Sequence, residues 1–422
     1  MDYGLQNHRS FIGTKASDLP SPALILSLPA IKKNVETLHR DVEKAGVSFR
    51  PHVKTLKVST RARKDLFKRR ELTCLQSTEV TRMMLGNGKH RKTVASTLSE
   101  IRGLLPLAEE AILDEILYGL PVSSGALPFL SGFRKTARIL LMIDHEKQIT
   151  LLEDFAKKNP DASQAPWDVF IKLDIGSKRA GLPVGGERLQ QVIRRVNESA
   201  NASLYGFYCH AGHSYGARTQ EQAEGFLTDE INGVLAAAKL IVGDQKLTLS
   251  VGATPTAHVV GTLKTAIPDN VTLELHAGNF PTNDLQQVAT GLVSEQDQAV
   301  RVTAEVCSVY PERNEVLINA GTIALSKEVG PLPGFGSVVG KPGWAVVRMS
   351  QEHGIVGEVQ QQATGSKNAE PERRDVEANF DVGDKIFLFC QHSCITAASF
   401  HVYYVVDEDD VVRDTWVPWK GW

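Results

Sequence analysis

The feature that most restricts the fold of this chain is an alternation, through the first 280 residues, of short β-rich apolar runs with amphipathic stretches. Such an alternation predicts repeated β-α units on a parallel sheet. The runs predict eight strands, at 47–51, 72–75, 112–118, 137–143, 169–174, 204–209, 247–251 and 271–276. Eight units predict an α/β fold with a closed (β/α)8 TIM-type barrel, whose active site lies at the carboxyl ends of the strands. A doubly wound open sheet is the structural alternative.

A different pattern begins after about residue 295, where β runs follow one another without helices between them. These runs lie at 299–310, 315–321, 344–350, 384–390 and 400–407. They predict a second, mostly antiparallel β domain. We therefore expect a barrel over 22–295 and a β domain over 296–422, to which the N-terminal segment 1–21 also belongs.

Composition narrows the class of protein. Lys plus Arg (47) nearly balances Asp plus Glu (49), so nothing predicts a nucleic-acid partner. The first residues contain no apolar run of signal-peptide length, and no stretch of about 18 apolar residues occurs, so we expect a soluble protein without a membrane span. The odd number of cysteines, five, does not suggest a disulfide framework and fits a reducing compartment, with the cytoplasm as the expected location.

Reactive residues gather directly after predicted strands, where the mouth of a barrel would bring them together. They are Lys54 in RPHVKT, Asp174 and Arg179 in KLDIGSKRAG, His210 and His213 in YCHAGHSY, and His276 and Asn279 in ELHAGNF. Scattered surface residues would not be sorted in this way. Taken singly, each has a simpler explanation: Lys54 as a solvated lysine, and each histidine as a hydrogen-bonding loop residue.

The segment SVGATPT, at 250–256, is the most informative local motif. Small residues and hydroxyls at a strand-to-helix junction expose backbone N–H groups that can bind phosphate. The alternative is a plain N-cap turn in which Pro255 starts a helix. The segment GNGKHRKT, at 86–93, lacks the spacing of a P-loop, so a ligand with one phosphate fits better than a nucleoside triphosphate.

The segment FCQHSC, at 389–394, follows a β run in the second domain. Alternation along a continued strand would put Cys390, His392 and Cys394 on one face. An imidazole and a thiolate so placed suit zinc and, as a pair, leave positions for water or substrate. The alternative is that these are small buried residues and a core histidine.

Four motifs in order, PHVKT, SVGATPT, ELHAGN and QHSC, together resemble the eukaryotic-type, zinc-dependent D-serine dehydratases. That family lies in the alanine racemase-like group of pyridoxal 5'-phosphate (PLP) enzymes, the fold-type III enzymes, which also includes the D-threonine aldolases. The resemblance extends from about residue 22 to beyond the HSC segment. It implies a PLP-binding barrel, a C-terminal β domain and a homodimer.

The resemblance also implies roles for single residues. Lys54 corresponds to the lysine in Schiff-base linkage to PLP, and His392 and Cys394 correspond to the zinc ligands. The residues implied to contact the cofactor are Lys54, His52, Arg179, Tyr215, Gly252, Ala253, Thr254, His276 and Asn279. Two positions depart from the expected pattern: Phe280 follows HAGN where many relatives are expected to have tyrosine, and Cys390 is an additional thiol, either a third ligand or a core residue.

The implied activity is that of a lyase, β-elimination of water from D-serine to give pyruvate and ammonia, with D-threonine as a further substrate. Lys54 would be the base at the α-carbon, and zinc would stabilise the departing hydroxide. Two enzymes of the same group, a D-3-hydroxyaspartate dehydratase and a D-threonine aldolase, are alternatives. A non-catalytic PLP carrier is disfavoured, because such single-barrel proteins lack a second domain and a metal pair.

Overall fold

A computed structural model describes residues 7–57, 79–160, 165–263, 267–359 and 374–422. The strands of these residues, numbered along the chain, are β1 (Ala23–Ser27), β2 (Ser48–Pro51), β3 (Lys92–Ala95), β4 (Glu115–Pro121), β5 (Arg138–Ile143), β6 (Trp167–Asp174), β7 (Leu182–Pro183), β8 (Ala202–Cys209), β9 (Leu247–Val251), β10 (Val271–Ala277), β11 (Val300–Tyr310), β12 (Glu315–Ile318), β13 (Gly336–Val338), β14 (Trp344–Met349), β15 (Gly354–Glu358), β16 (Lys385–Cys390), β17 (Tyr403–Val406) and β18 (Val412–Trp416). The α-helices are α1 (Leu28–Ala45), α2 (Glu79–Met84), α3 (Leu98–Glu109), α4 (Leu127–Phe133), α5 (Glu146–Lys158), α6 (Glu187–Glu198), α7 (Gln220–Ala238), α8 (Thr254–Ala257), α9 (Leu285–Val288), α10 (Thr322–Leu325) and α11 (Ser393–Ser399).

Contacts divide the chain into two compact units, one of Met1–Asn34 with Pro281–Pro418 and one of Val35–Phe280 with Trp419–Trp422. The domain bounds predicted from the sequence, 22–295 and 296–422 with 1–21, stay a prediction. Strand β1 lies inside the predicted barrel range 22–295, but it pairs with β11 and β17 in the antiparallel sheet. Within the described ranges, no helix combines the length and the apolar character needed to cross a membrane.

The second unit is built on a parallel barrel with the strand order β2-β10-β9-β8-β6-β5-β4-β3. A parallel bridge between His52, which directly follows β2, and Val94 of β3 links the two ends of this order, so the barrel is nearly closed. This near-closure confirms the predicted barrel and excludes the open doubly wound sheet. Strand β7 pairs only with β6.

The barrel strands could be predicted from the sequence because most of their residues are buried and apolar. Every residue of β9 is buried, and β5 is buried over Ile139–Ile143, as parallel strands covered on both faces should be. The second predicted strand, 72–75, lies outside the described residues. The strand Lys92–Ala95, which closes the barrel, was not predicted, because a four-residue run beginning Lys-Thr has too few apolar residues to stand out.

A buried ion cluster lies inside the barrel near the amino ends of several strands. Arg50 is fully buried; its Nη2 lies 2.6 Å from Oε1 of Glu115 and its Nε lies 2.7 Å from Oε1 of Glu274. Lys92 Nζ is 3.2 Å from the other oxygen of Glu274. Each charge in the cluster faces an opposite charge, so no unpaired charge is buried among these residues.

The described residues of the first unit form nine strands in the order β12-β15-β14-β13-β16-β11-β1-β17-β18. Every neighbouring pair is antiparallel except β1 and β17. Strand β11 also pairs with β12, so one strand hydrogen-bonds to three others. This sheet confirms the predicted antiparallel β architecture.

Candidate active site

A cavity of about 340 Å³ lies at the carboxyl ends of the barrel strands. Its walls come from the ends of strands β2, β3, β4, β6, β8, β9 and β10 or from the residues that follow them. This is the position at which a (β/α)8 barrel carries its chemistry, because the loops that vary between such proteins meet there.

The cavity brings together most of the residues selected from the sequence. Its lining includes His52, Lys54, Arg179, Tyr215, Ala253, Thr254, His276 and Asn279. Gly252 directly precedes Ala253 in the chain. Two residues of the same motifs do not line the cavity: Asp174 accepts the backbone N–H groups of its own turn, and His213 lies in the short helix Gly212–Gly216. The structure thus fixes a common location for these side chains, and their roles stay predictions.

The loop that carries Lys54 is tied to its neighbours through His52. The backbone N–H of Lys54 donates to Nδ1 of His52 over 3.2 Å, and Nε2 of the same imidazole lies 3.1 Å from Oγ of Ser96. Since Nδ1 accepts, the ring proton resides on Nε2 and is shared with Ser96. Burial lowers the pKa of His52 well below its usual value, so the ring is neutral at physiological pH.

The SVGATPT turn has the geometry of a close backbone approach. Gly252 has φ +139°, and a Cβ at this position would lie 2.2 Å from the carbonyl oxygen of His276. The hydroxyl of Thr254 accepts the backbone N–H of Asn279 over 3.1 Å, which joins the loops after β9 and β10. The segment is a strand end followed by a short helix with Pro255 in its first turn, a junction that both interpretations of the motif require.

Stacked rings form one wall of the cavity. The rings of Tyr208 and His276 lie 4.1 Å apart and 9° from parallel. His276 Nδ1 is 3.0 Å from Oγ of Ser250, and His210 Nδ1 donates to the carbonyl of Gly252 over 2.8 Å. Burial lowers the pKa of His276 well below its usual value and that of His210 to about 3, so both imidazoles are neutral.

The charges on the cavity wall are all positive. Lys54, Lys172 and Arg179 line it, and none of the described lining residues is acidic. Lys172 is only 5% exposed, and burial together with the charge of Arg179 lowers its pKa to about 8. The carboxylates of Asp144 and Asp174, which do not line the cavity, raise the pKa of Lys172 less than burial and Arg179 lower it, so this wall suits a ligand that brings negative charge.

These features fit PLP, which carries a phosphate and a carbonyl able to condense with an amine. The cationic wall can take the phosphate, and Gly252 allows the backbone to approach closely. Buried Nε2 of His276 has no hydrogen-bonding partner among the described residues, so it can meet a polar ligand atom. The amine of Lys54, which lines the same cavity, is of the kind that condenses with such a carbonyl.

The HSC segment departs from the predicted strand. Strand β16 ends at Cys390, His392 is the N-cap of α11, and Cys394 lies in the first turn of that helix. The prediction that strand alternation places Cys390, His392 and Cys394 on one face was therefore wrong. The chain turns into a helix at Ser393, where the sequence becomes rich in alanine and other small residues.

His392 and Cys394 are nevertheless close together at this turn. The side chains of His392 and Cys394 hydrogen-bond to each other, so an imidazole nitrogen and a sulfur are neighbours. Within the described ranges, no group of three or more His, Cys, Asp or Glu side chains could hold a metal. The donor types fit zinc at a site that keeps positions for other ligands. Cys390 is buried, and burial raises the pKa of its thiol to about 12, as expected of a core cysteine.

Lys172 and Tyr208 are among the lining residues that the sequence analysis did not select. Lys172 had a detectable signal, because it interrupts the apolar run of β6 between Ile171 and Leu173. Tyr208 had none, since an aromatic residue in a strand is ordinary core material. Phe280, the other departure noted above, is fully buried and packs edge-on against Phe49 with ring centroids 5.6 Å apart.

Comparison with known proteins decides the family. The alanine racemase N-terminal domain matches residues 26–260, and the serine dehydratase domain matches residues 299–406. Over 428 residues the chain is 39% identical to the D-serine dehydratase of Schizosaccharomyces pombe, covering 98% of this chain and 95% of that protein. The chain belongs to the D-serine dehydratase family.

Further relatives agree with this family. The D-serine dehydratase of Saccharomyces cerevisiae is 32% identical over 448 residues, covering 97% of this chain and 98% of that protein. The solved structure of D-threo-3-hydroxyaspartate dehydratase from Delftia sp. HT23 is similar with a TM-score of 0.79 and 25% identity, over 97% of this chain and all of that one. The family has the alanine racemase-like fold, and its members are lyases of a PLP-dependent class.

Proposed function

We propose that this protein is a D-serine dehydratase that uses PLP and zinc and releases pyruvate and ammonia. The observation that carries the proposal is that Lys54 and the SVGATPT turn line one cationic cavity at the carboxyl ends of the barrel strands. An amine for covalent attachment and a backbone able to hold phosphate are the two requirements of a PLP site. Family membership makes D-serine the first substrate to test.

Each residue of the cavity has a task in this proposal. When bound, PLP would supply an electron sink for the substrate's α-carbon. Nζ of Lys54 removes the α-proton, and the face on which this amine lies selects the D enantiomer. Lys172 and Arg179 bind anionic groups, and the stacked rings of Tyr208 and His276 provide a flat wall that excludes water.

Zinc is assigned to His392 and Cys394. A thiolate and an imidazole are ligands that zinc favours, and as a pair they leave positions open. Held by these two residues, zinc would supply Lewis acidity toward the β-hydroxyl, whose departure as hydroxide is otherwise unfavourable. D-serine loses one water in the elimination, and the product takes up one water on hydrolysis. Pyruvate and ammonia together therefore contain the atoms of D-serine.

The experiment is pyruvate release from D-serine and from L-serine, with and without a chelator. We expect pyruvate from D-serine and none from L-serine. Chelation should abolish the activity, and added zinc should restore it. Offering D-threonine separates the chemistries, because a dehydratase forms 2-oxobutyrate and an aldolase forms glycine. PLP binding without turnover of any D-3-hydroxy amino acid would indicate a carrier and contradict the proposal.

A second candidate substrate is D-threo-3-hydroxyaspartate. The cationic wall without acidic residues could accept a second carboxylate, and the dehydratase of that name from Delftia sp. is 27% identical to this chain. The ratio of kcat/KM for D-serine to that for D-threo-3-hydroxyaspartate decides between the two. A ratio well above one supports D-serine dehydratase, and a ratio well below one supports the other assignment.

We also propose that the protein is a cytoplasmic homodimer that takes a small-molecule D-amino acid and binds neither membrane nor nucleic acid. The near-balance of charge and the cysteine content support this setting. Light scattering of the purified protein tests the assembly, with a mass of twice 46.2 kDa expected. A monomeric mass at working concentration would contradict it.

A further inference from the structure

A buried carboxylate outside the cavity connects two of the loops that line it. Glu230 lies on α7 and is fully buried. Its Oε1 accepts the backbone N–H of Ala211 over 2.9 Å and the backbone N–H of Gly252 over 2.9 Å. The two N–H groups belong to the loops that follow β8 and β9, so one oxygen atom joins two different β-α units.

These two backbone positions adjoin residues that face the cavity. Ala211 follows His210, and Gly252 precedes Ala253. The peptide groups of Gly252 are held on both sides, since its N–H binds Glu230 and its carbonyl accepts Nδ1–H of His210 over 2.8 Å. The contacts form a closed circuit: Glu230 hydrogen-bonds to Gly252, Gly252 to His210, and Glu230 also to Ala211, which is joined to His210 by a peptide bond.

The circuit fixes features on which ligand binding depends. The carbonyl of Gly252 keeps the proton of His210 on Nδ1, so Nε2 of that imidazole has a free lone pair. Gly252 has φ +139°, a conformation that other residues rarely adopt, and its placement against His276 leaves no room for a side chain. Without an acceptor at position 230, two buried N–H groups would have to find other partners, and both loops would shift.

Burial at position 230 also disfavours an ionised carboxylate. Burial raises the pKa of Glu230 to about 7, which means that the folded protein stabilises its charge poorly. An apolar side chain would serve α7 better if the helix only needed to pack on the barrel. The presence of a carboxylate here is therefore explained by its hydrogen bonds to the backbone N–H groups of Ala211 and Gly252.

We propose that Glu230 is a positioning residue that sets His210 and the SVGATPT backbone relative to each other so that the cavity binds its cofactor. The inference rests on the proposed function, because the cofactor is PLP. Glu230 itself does not line the cavity, so it acts through the Ala211 and Gly252 peptides.

The test compares Glu230→Leu, which removes the acceptor, with Glu230→Gln, which keeps an oxygen for both N–H groups. Leu227→Ala, on the same helix and buried, is the control for general loss of stability. Each protein is titrated with PLP by absorbance, its bound cofactor is examined by visible circular dichroism, and its melting temperature is measured.

For Glu230→Leu we expect the Kd for PLP to rise about tenfold or more, as loss of a buried hydrogen-bond acceptor implies, with an altered dichroism band. Glu230→Gln should restore both within about threefold, since an amide oxygen also accepts. Leu227→Ala should lower the melting temperature and leave the Kd unchanged. If Glu230→Leu binds PLP like the parent while its melting temperature falls, the residue has only a structural role and the inference is overturned.

Further outcomes keep the two proposals apart. If Glu230→Leu does not fold, Glu230→Asp replaces it, because the shorter acid withdraws the acceptor without removing the charge; an unchanged Kd for that variant overturns the inference. Parent protein that binds PLP but releases no pyruvate contradicts the proposed function alone. Parent protein that does not bind PLP contradicts both.

Discussion

The backbone N–H of Lys54 donates a hydrogen bond to Nδ1 of His52 two residues earlier. The imidazole passes this restraint on to Ser96, on the neighbouring β-α unit, through Nε2. The lysine is therefore held on a short loop whose direction is set by two adjacent units of the barrel. Restraining the backbone that carries this amine reduces the entropy lost when the amine meets its ligand.

Replacing Lys54 with alanine should abolish covalent cofactor binding and turnover. The amine is the group that condenses with PLP and the base at the substrate's α-carbon, so both functions disappear together. The measurement is visible absorbance after PLP addition, followed by a pyruvate assay. Lys57→Met, in the same loop, is the matched control and should keep both signals; an unchanged absorbance band in Lys54→Ala would disprove the assignment.

Lys172 should give the cavity a pH-dependent affinity for anions. Burial and the charge of Arg179 lower its pKa to about 8, so the ammonium is lost as the pH rises through that value. Affinity of the cofactor-free protein for PLP should fall over the same range, because an anionic ligand favours the charged lysine.

The variant Lys172→Met separates this effect from the titration of PLP itself. At pH 7 it should bind PLP about tenfold more weakly, equivalent to about 1.4 kcal/mol, and the difference from the parent should vanish above pH 9. Lys158→Met, which removes an exposed charge on α5, should behave like the parent. A constant difference across the pH range would show that the ammonium of Lys172 does not titrate near 8.

His392→Ala and Cys394→Ser should each remove zinc and dehydration but leave PLP binding intact. The prediction follows from the pairing of an imidazole with a thiolate, either of which alone is a weak site. Elemental analysis of the purified proteins measures the metal. Cys307→Ser, at an exposed cysteine of strand β11, is the control. Full activity of metal-free protein would refute the Lewis-acid role.

Arg50→Met should destabilise the barrel strongly without altering chemistry directly. It leaves Glu115 and Glu274 buried without their shared cation, and breaking a buried pair costs about 3–5 kcal/mol. Arg91→Met breaks the exposed pair with Asp114 and should cost less than about 1 kcal/mol. Urea unfolding measures both; similar losses would mean that the buried cluster contributes no more than a surface pair.

The sequence predicted the barrel because most of its strands are continuous apolar runs bounded by helices. The failure at Lys92–Ala95 has a physical cause: Lys92 is a partner of Glu274 and Thr93 donates to the carbonyl of Pro51, so two of its four residues are polar. Such a strand is recognised by its place between β2 and β4, which only the folded chain reveals.

The candidate site was largely predictable because its residues follow strands directly. What could not be predicted was which polar residues are buried. Glu230 lies in a helix with other acidic residues, and the sequence gives no sign that it alone turns inward to the Ala211 and Gly252 peptides. The error at HSC came from extending strand periodicity past Cys390, where a helix begins instead.

Borohydride reduction followed by peptide mass spectrometry identifies the amine that carries the cofactor. Two lysines, Lys54 and Lys172, face the same cavity, so both are chemically available to PLP. We expect the mass of the reduced PLP adduct on the peptide that contains Lys54. Finding it on the peptide with Lys172, or on neither, would show that the amine at position 54 does not carry the cofactor.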